Sequence, residues 1–374
     1  MKFKISENNF DLIRLFAATE VAVLHIFSYL SPQIYSHPTP LQAGVIRLLE
    51  MFPGVPTFFF ISGFLISRAF ENNPVPEEFT RNRILRIYPA LVCCFVVSVV
   101  MVWLSGYRSP VKSSLPELLL WVLAQVSIGQ FYNPDFLRDY GVGVLNGSTW
   151  TITVELQFYI LVPVLYALLA LQRAPQARVN RRLLLLTLLF LVMNQGYVLA
   201  APRHAGELWH KLVGVTFVPW FYMFLAGVAA QRNFHSLQPL LAGKFLPALA
   251  GYAALAAPLS SYFGWSLGND LNPLFFSGLA LFSLVAAFSR PGLSDLVLRR
   301  NDISYGVYLY HMPVVNLLLA LGVAGIWTAL GAALAATLLL ALGSWFVVEK
   351  PALRLKRHAL YKHTVGTLGQ GRLS

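Results

Sequence analysis

Apolar residues in this chain fall in runs of about 20, parted by short polar connectors that are often basic. A helix needs about 20 apolar residues to cross a bilayer. Runs of that kind lie at roughly 10–30, 46–67, 87–104, 150–171, 183–201, 212–230, 245–263, 273–289, 303–321 and 327–347. The pattern predicts an all-α, polytopic integral membrane protein with about ten transmembrane helices. An eleventh run, "LPELLLWVLAQVSIG" (115–129), is short, holds Glu117 and begins beside Pro116.

Charge decides whether that run spans. If it does not, the loops on the N-terminal side of the membrane carry 22 of the 28 Lys and Arg residues. If it does, the arginines of "QRAPQARVNRR" (172–182) face outward. Basic residues accumulate on the cytoplasmic side, so both termini are expected in the cytoplasm of a multi-pass cell (inner) membrane protein. Residues 105–148 then form an outer-face segment with a re-entrant or interfacial helix. The tail 356–374 is expected to be a disordered cytoplasmic extension of a membrane domain over 1–355.

Composition agrees: 57% hydrophobic, 12% charged and a mean hydropathy of +0.62, against about half apolar and a quarter charged in a soluble domain. The net charge of +12 does not point to nucleic acid, because the Lys and Arg lie between apolar runs and build no compact basic domain. The adjacent Cys93 and Cys94 read as packing residues. The polar start "MKFKISENNF" lacks a cleavable signal pattern. No internal repeat is visible, and the connectors other than 105–148 leave no room for a soluble catalytic domain.

Ionisable groups inside the apolar runs carry the chemistry, since they are costly in a bilayer and mark pathways or sites. In "DLIRLFAATEVAVLH" (11–25), Arg14 and His25 are eleven residues apart, three helical turns to within about 20°. They share one face, about 16 Å apart along the axis. Asp11, one turn before Arg14, lies on the same side, whereas Glu20 falls off it. A histidine titrating near neutrality suits a general base for a hydroxyl. "PGVPTFFFISGFLISRAF" (53–70) is broken by Ser62-Gly63, either for close helix packing or as a narrow point for an extended ligand. "RNRILRIYPAL" (81–91) presents Arg83 and Arg86 on one face, as topology signals or as a phosphate clamp of arginine forks.

"NGSTWTITVELQFYILVPVL" (146–165) includes Trp150 and places Glu155 one to two turns inside the outer face, with Tyr159 one turn on. It suits a partner for an arginine or histidine, or a contact for an acceptor. "ISYGVYLYHMPVV" (303–315) carries Tyr305, Tyr308 and His311, interfacial aromatics or site residues. "WFVVEKPALRL" (345–355) holds Glu349, expected to pair with an arginine on the cytoplasmic side. No metal-ligand spacing, P-loop or nucleophile elbow occurs, so no metal is expected.

Together these segments resemble the acyltransferase family 3 membrane proteins, which O-acylate cell-envelope glycans. "FDLIRLFAATEVAVLH" is similar to the family's first-helix signature, with Asp11, Arg14 and His25 at its aspartate, arginine and histidine. "FFFISGFLI" resembles the second-helix motif, and Arg83 and Arg86 match its R-x-x-R. "WTITVELQFYILVP", "ISYGVYLYHMPVV" and "FVVEKP" follow in family order. Glu20 departs from the aliphatic residue expected there. The family often adds a C-terminal SGNH domain, and this chain resembles the stand-alone form. The resemblance implies acyl-CoA, in the first instance acetyl-CoA, as co-substrate with no bound cofactor. It implies a hydroxyl of a polysaccharide, lipopolysaccharide or other lipid-linked glycan as acceptor. The catalytic group is then His25, Arg14, Asp11 and Glu155, with Arg83, Arg86 and Ser62 on the donor. The rival reading is a transporter of an anionic lipid or sugar conjugate along the same charges. Such folds favour inverted repeats, which the sequence lacks.

Overall fold

The structure, a computed structural model, describes residues 4–323 and 325–355. The expected tail, 356–374, lies outside the described residues. Among these the chain is helical, without a strand. The helices that build the bundle are α1 (Phe10–Leu30), α2 (Gly54–Asn72), α3 (Pro76–Leu104), α4 (Leu115–Gln125), α5 (Trp150–Leu168) and α6 (Gln176–His204). They continue with α7 (Phe221–Arg232), α8 (Phe245–Phe263), α9 (Pro273–Ser289), α10 (Ser304–Ala320) and α11 (Ile326–Ser344). Past Ser344, α11 runs through one π-helical turn, Trp345–Glu349. Five described segments are long and apolar enough to cross a membrane: Pro40–Asn72, Pro76–Leu104, Trp150–Leu168, Gln176–His204 and Ile326–Leu355.

The expected segments at 245–263 and 273–289 coincide with α8 and α9. Two others are broken. The run 46–67 is interrupted between the helix Pro40–Glu50 and α2. The run 212–230 is interrupted between the helix Leu208–Gly214 and α7, which has only 12 residues. Apolarity alone does not report such breaks, because the side chains that complete them come from elsewhere. Glu20 accepts the N–H of Gly54, the first residue of α2, at 2.8 Å. Gln157 of α5 donates to Val215 O at 2.8 Å and accepts from the N–H of Phe217 at 2.9 Å. Free backbone groups at membrane depth need such partners. Glu20, the departure from the family pattern, is thereby a capping group between α1 and α2.

Helix α4 has 11 residues and rises about 16 Å, half of a hydrocarbon core of about 30 Å. The loop that follows reaches into the bundle. Tyr88 of α3 donates to Ser127 O at 3.2 Å, and Asn316 of α10 donates to Val144 O and Leu145 O at 2.8 and 2.9 Å. Pro313 has no N–H for the Leu309 carbonyl one turn earlier, and Asn146 Nδ2 donates to that carbonyl at 2.9 Å.

Helices α2, α7 and α10 are innermost; α10 buries residues all round, from Ser304 to Asn316. Helix α6 is outermost, with Leu184, Leu185, Leu188, Leu189 and Val192 exposed. An apolar exposed face of this kind suits lipid rather than water, and the chain is a membrane protein. Cys93 and Cys94 are both free, Cys94 being buried.

Candidate functional site

The site is assembled on α10 and the residues just before it. Asp302 sits at the entrance to α10, where its Oδ1 accepts the backbone N–H of Ser304 at 3.2 Å and the Ser304 hydroxyl. Its Oδ2 takes Arg14 Nη1 of α1 at 3.2 Å and also Arg86 of α3. Arg86 further approaches Glu349 at 3.8 Å, and Arg14 approaches Asp11 at 3.8 Å. Burial alone would raise the Asp302 carboxyl, but Arg86 and Arg14 outweigh it and hold it below its ordinary value. The π-helical turn of α11 places Glu349, whose Oε1 accepts from Ser344 Oγ at 3.1 Å. An extra residue in a helical turn is a frequent device for aiming a side chain at a site.

Asp302 escaped the sequence reading. The available signal was an acidic residue two positions before a serine at the head of an apolar run, the pattern of a helix cap. Its two arginine partners, 288 and 216 residues away, had no such signal.

Arg83 and Arg86 were expected to act together. The structure gives them different partners, although both line one cavity. Arg86 is committed to Asp302 and Glu349. Arg83 makes no ion pair among the described residues. Its guanidinium lies over the rings of Phe79 and Tyr159, 5.6 and 5.8 Å from their centroids, and its Nε is buried without a hydrogen-bond partner.

Glu155 was expected one to two turns inside the outer face; in the structure its neighbours are Ser62 and Tyr159. Thr151 Oγ1 meets the hydroxyl of Tyr308 at 2.7 Å, one turn into α10. Glu155, one turn further along α5, therefore lies toward the end of the bundle where α1 and α10 begin. The reason is the inward dip of residues 126–149, which starts α5 inside the bundle. Glu155 Oε1 accepts from Ser62 Oγ at 2.9 Å and from Tyr159 OH at 2.5 Å. Glu155 thus does not take up the option of orienting His25.

Two cavities adjoin at these groups, with Arg14, Ser62 and Glu155 in the lining of both. One is also lined by Asp11, Arg83, Arg86, Tyr159, Arg300 and Asp302; the other is also lined by Tyr305 and Tyr308. Tyr305 donates to Ile87 O at 3.3 Å beneath Arg86. Tyr308 also donates to Ser148 O at 3.1 Å, and its ring centroid is 5.7 Å from that of His311. Trp150 is not brought into the charged group; its ring packs on Trp220 at 5.3 Å.

Arg14 and His25 both face α10, as their shared helix face implied. His25 Nδ1 lies 2.9 Å from His311 Nε2, the rings meeting edge to edge with centroids 5.1 Å apart and 26° between their planes. No group of His, Cys, Asp or Glu suited to a metal ion occurs among the described residues. The arrangement offers a basic, partly neutralised mouth, cavities lined by polar and apolar side chains together, and an imidazole pair beyond a tyrosine.

Comparisons with known proteins point the same way. The family described as an acyltransferase domain matches residues 7–348. Nodulation protein 10 of Rhizobium leguminosarum bv. viciae is 30% identical over 361 residues, covering 93% of this chain and 94% of its own. An O-acetyl transferase of Shigella phage Sf6 is 27% identical over 354 residues, covering 92% and 95%. The putative membrane-bound transacylase BcsY of Komagataeibacter xylinus is 27% identical over 328 residues, covering 82% and 78%. No solved structure matches the chain.

Proposed function

The chain belongs to the acyltransferase 3 family and is an O-acyltransferase; from that premise we propose that it moves an acyl group, acetyl in the first instance, from acyl-CoA to a hydroxyl of a cell-envelope glycan. The names of the relatives, an O-acetyl transferase and a transacylase, support acyl transfer over the transport reading. The observation that carries the proposal is the polar line along α1 and α10, from Arg14–Asp302 to His25–His311.

In this reading the bilayer is crossed ten times, counting the two broken segments. Both termini are cytoplasmic, and the membrane is the inner one. The donor enters at the end where Arg83 and Arg300 lie, a phosphate accepting from Arg83 N–H groups. The acyl arm extends along Ser62 and Glu155 toward Tyr308. The acceptor hydroxyl arrives from the opposite face, next to His25. Its oxygen bonds to the thioester carbonyl carbon as His25 takes the hydroxyl proton. The carbon–sulfur bond then breaks, and His25 returns the proton to the departing thiolate. The products are the O-acyl glycan and free CoA thiol.

The test is transfer of radiolabelled acetyl from acetyl-CoA into envelope glycan by membranes carrying the protein. His25→Ala is expected to insert and to express but to lose transfer by about 10²–10⁴-fold. Wild-type transfer by His25→Ala removes the base from this reading.

A further inference from the structure

We infer that His311 is a positioning residue that fixes which nitrogen of His25 carries a proton. The inference rests on the reading of His25 as general base and deepens it. His311 Nδ1 lies 3.3 Å from the Val307 carbonyl, one turn back on α10. A carbonyl oxygen only accepts, so His311 Nδ1 bears the hydrogen. A neutral imidazole has one N–H, which leaves His311 Nε2 as a lone-pair nitrogen. That nitrogen faces His25 Nδ1 at 2.9 Å and accepts from it. His25 Nδ1 therefore carries its hydrogen, and His25 Nε2 is left with the lone pair that a general base needs.

Several contacts hold this chain of donors in place. His311 is fully buried. Tyr308 packs against its ring, and the Tyr308 hydroxyl is fixed by Thr151 and Ser148. Asn316, further along α10, ties the helix to residues 142–145. A fixed ring orientation is what lets the partner of one nitrogen decide the state of the other.

The proton count balances without His311 gaining or losing one. The acceptor hydroxyl proton moves to His25 Nε2 as the new carbon–oxygen bond forms. The resulting imidazolium donates from Nδ1 to His311 more strongly than the neutral ring did. The proton then leaves Nε2 for the thiolate as the carbon–sulfur bond breaks. With no acceptor at 311, nothing disfavours the tautomer with its hydrogen on Nε2, which cannot take a proton there.

The experiment compares His311→Leu, His311→Gln and His25→Ala in the full-length protein, reading kcat, donor KM and melting temperature. His311→Gln keeps an oxygen acceptor near the position of Nε2; His311→Leu has none. The expected result is an inactive His25→Ala and a kcat at least about tenfold lower in His311→Leu, within the 10²–10⁴-fold that a general base contributes. Donor KM stays unchanged, and His311→Gln recovers most of the rate. An inactive His25→Ala beside a fully active His311→Leu overturns the positioning role and leaves the base intact. A fully active His25→Ala overturns both. Should His311→Leu fail to fold, the wild-type protein decides. Its ¹⁵N-histidine spectrum, assigned against His25→Ala, is expected to give a pyridine-type Nε2 for His25, and a pyrrole-type Nε2 overturns the inference.

Discussion

Gly63 and Gly227 sit back to back where α2 crosses α7. A β-carbon built on Gly63 would lie 2.0 Å from Phe224 O and 3.1 Å from Gly227 Cα; one built on Gly227 would lie 2.1 Å from Phe60 O. The sequence left Ser62-Gly63 with two roles, close packing or a narrow ligand passage, and the structure divides them. Gly63 lets the backbones touch, while Ser62, next to it, turns toward Glu155. Gly63→Ala should cost about 1–3 kcal/mol or more by overpacking and lower the melting temperature in detergent. Ser62→Ala should melt close to wild type. Equal melting of Gly63→Ala and wild type would show that the crossing is looser than described.

Asp302 is the shared counter-ion of two arginines, so its loss has consequences beyond one bond. Asp302→Asn leaves Arg14 and Arg86, both largely buried, without their common carboxylate. Removing one partner of a buried pair costs about 3–5 kcal/mol. The variant should melt well below wild type, and Asp302→Asn combined with Arg86→Met should recover part of the loss. The carboxyl is held below its ordinary value. Its contribution should therefore be complete above about pH 4 and be lost only as pH falls through the depressed value. A double variant no more stable than Asp302→Asn alone would exclude the shared-counter-ion account.

Arg83 and Arg86 should respond differently to the same substitution. Arg83→Lys removes the fork from an arginine with no ion pair among the described residues and should raise the donor KM about tenfold, with little change in melting. Arg86→Lys keeps a charge between Asp302 and Glu349 but loses the fork, and should show mainly as lower thermal stability. A donor KM moved only by Arg86→Lys would reverse the assignment.

Glu155 accepts both of its hydrogen bonds on Oε1, which an amide oxygen also supports. Glu155→Gln should therefore melt within about 1 kcal/mol of wild type while transfer falls, if the charge acts on substrate. Glu155→Asp retracts the carboxylate from Ser62 and Tyr159 and should lose both. Normal transfer by Glu155→Gln would remove the residue from the site.

The proposed orientation follows from charge and is open to labelling. With Cys93 and Cys94 replaced by Ala, a cysteine at Asp135 should react with a membrane-impermeant maleimide in intact cells. A cysteine at Gln176 should not react. Labelling at Gln176 would put Leu115–Gln125 across the membrane.

The sequence by itself determined the helical class, the positions of most helices, and the common face of Arg14 and His25. Apolar runs and the 3.6-residue period are local properties, and they were enough to align α8, α9 and α10. It also drew attention to Glu155, Glu349 and His311, because a charged or titratable group inside an apolar run is costly wherever it lies. Tertiary structure alone decided the partners. Asp302 joins α1 to α3, Glu20 caps α2, His311 answers His25, and the dip of residues 126–149 starts α5 inside the bundle, where Glu155 meets Ser62. Each of these pairings spans between 34 and 288 residues of chain or depends on a loop that does. A hydrogen bond or ion pair leaves no mark on the spacing around either partner, so only the folded chain reveals which groups meet.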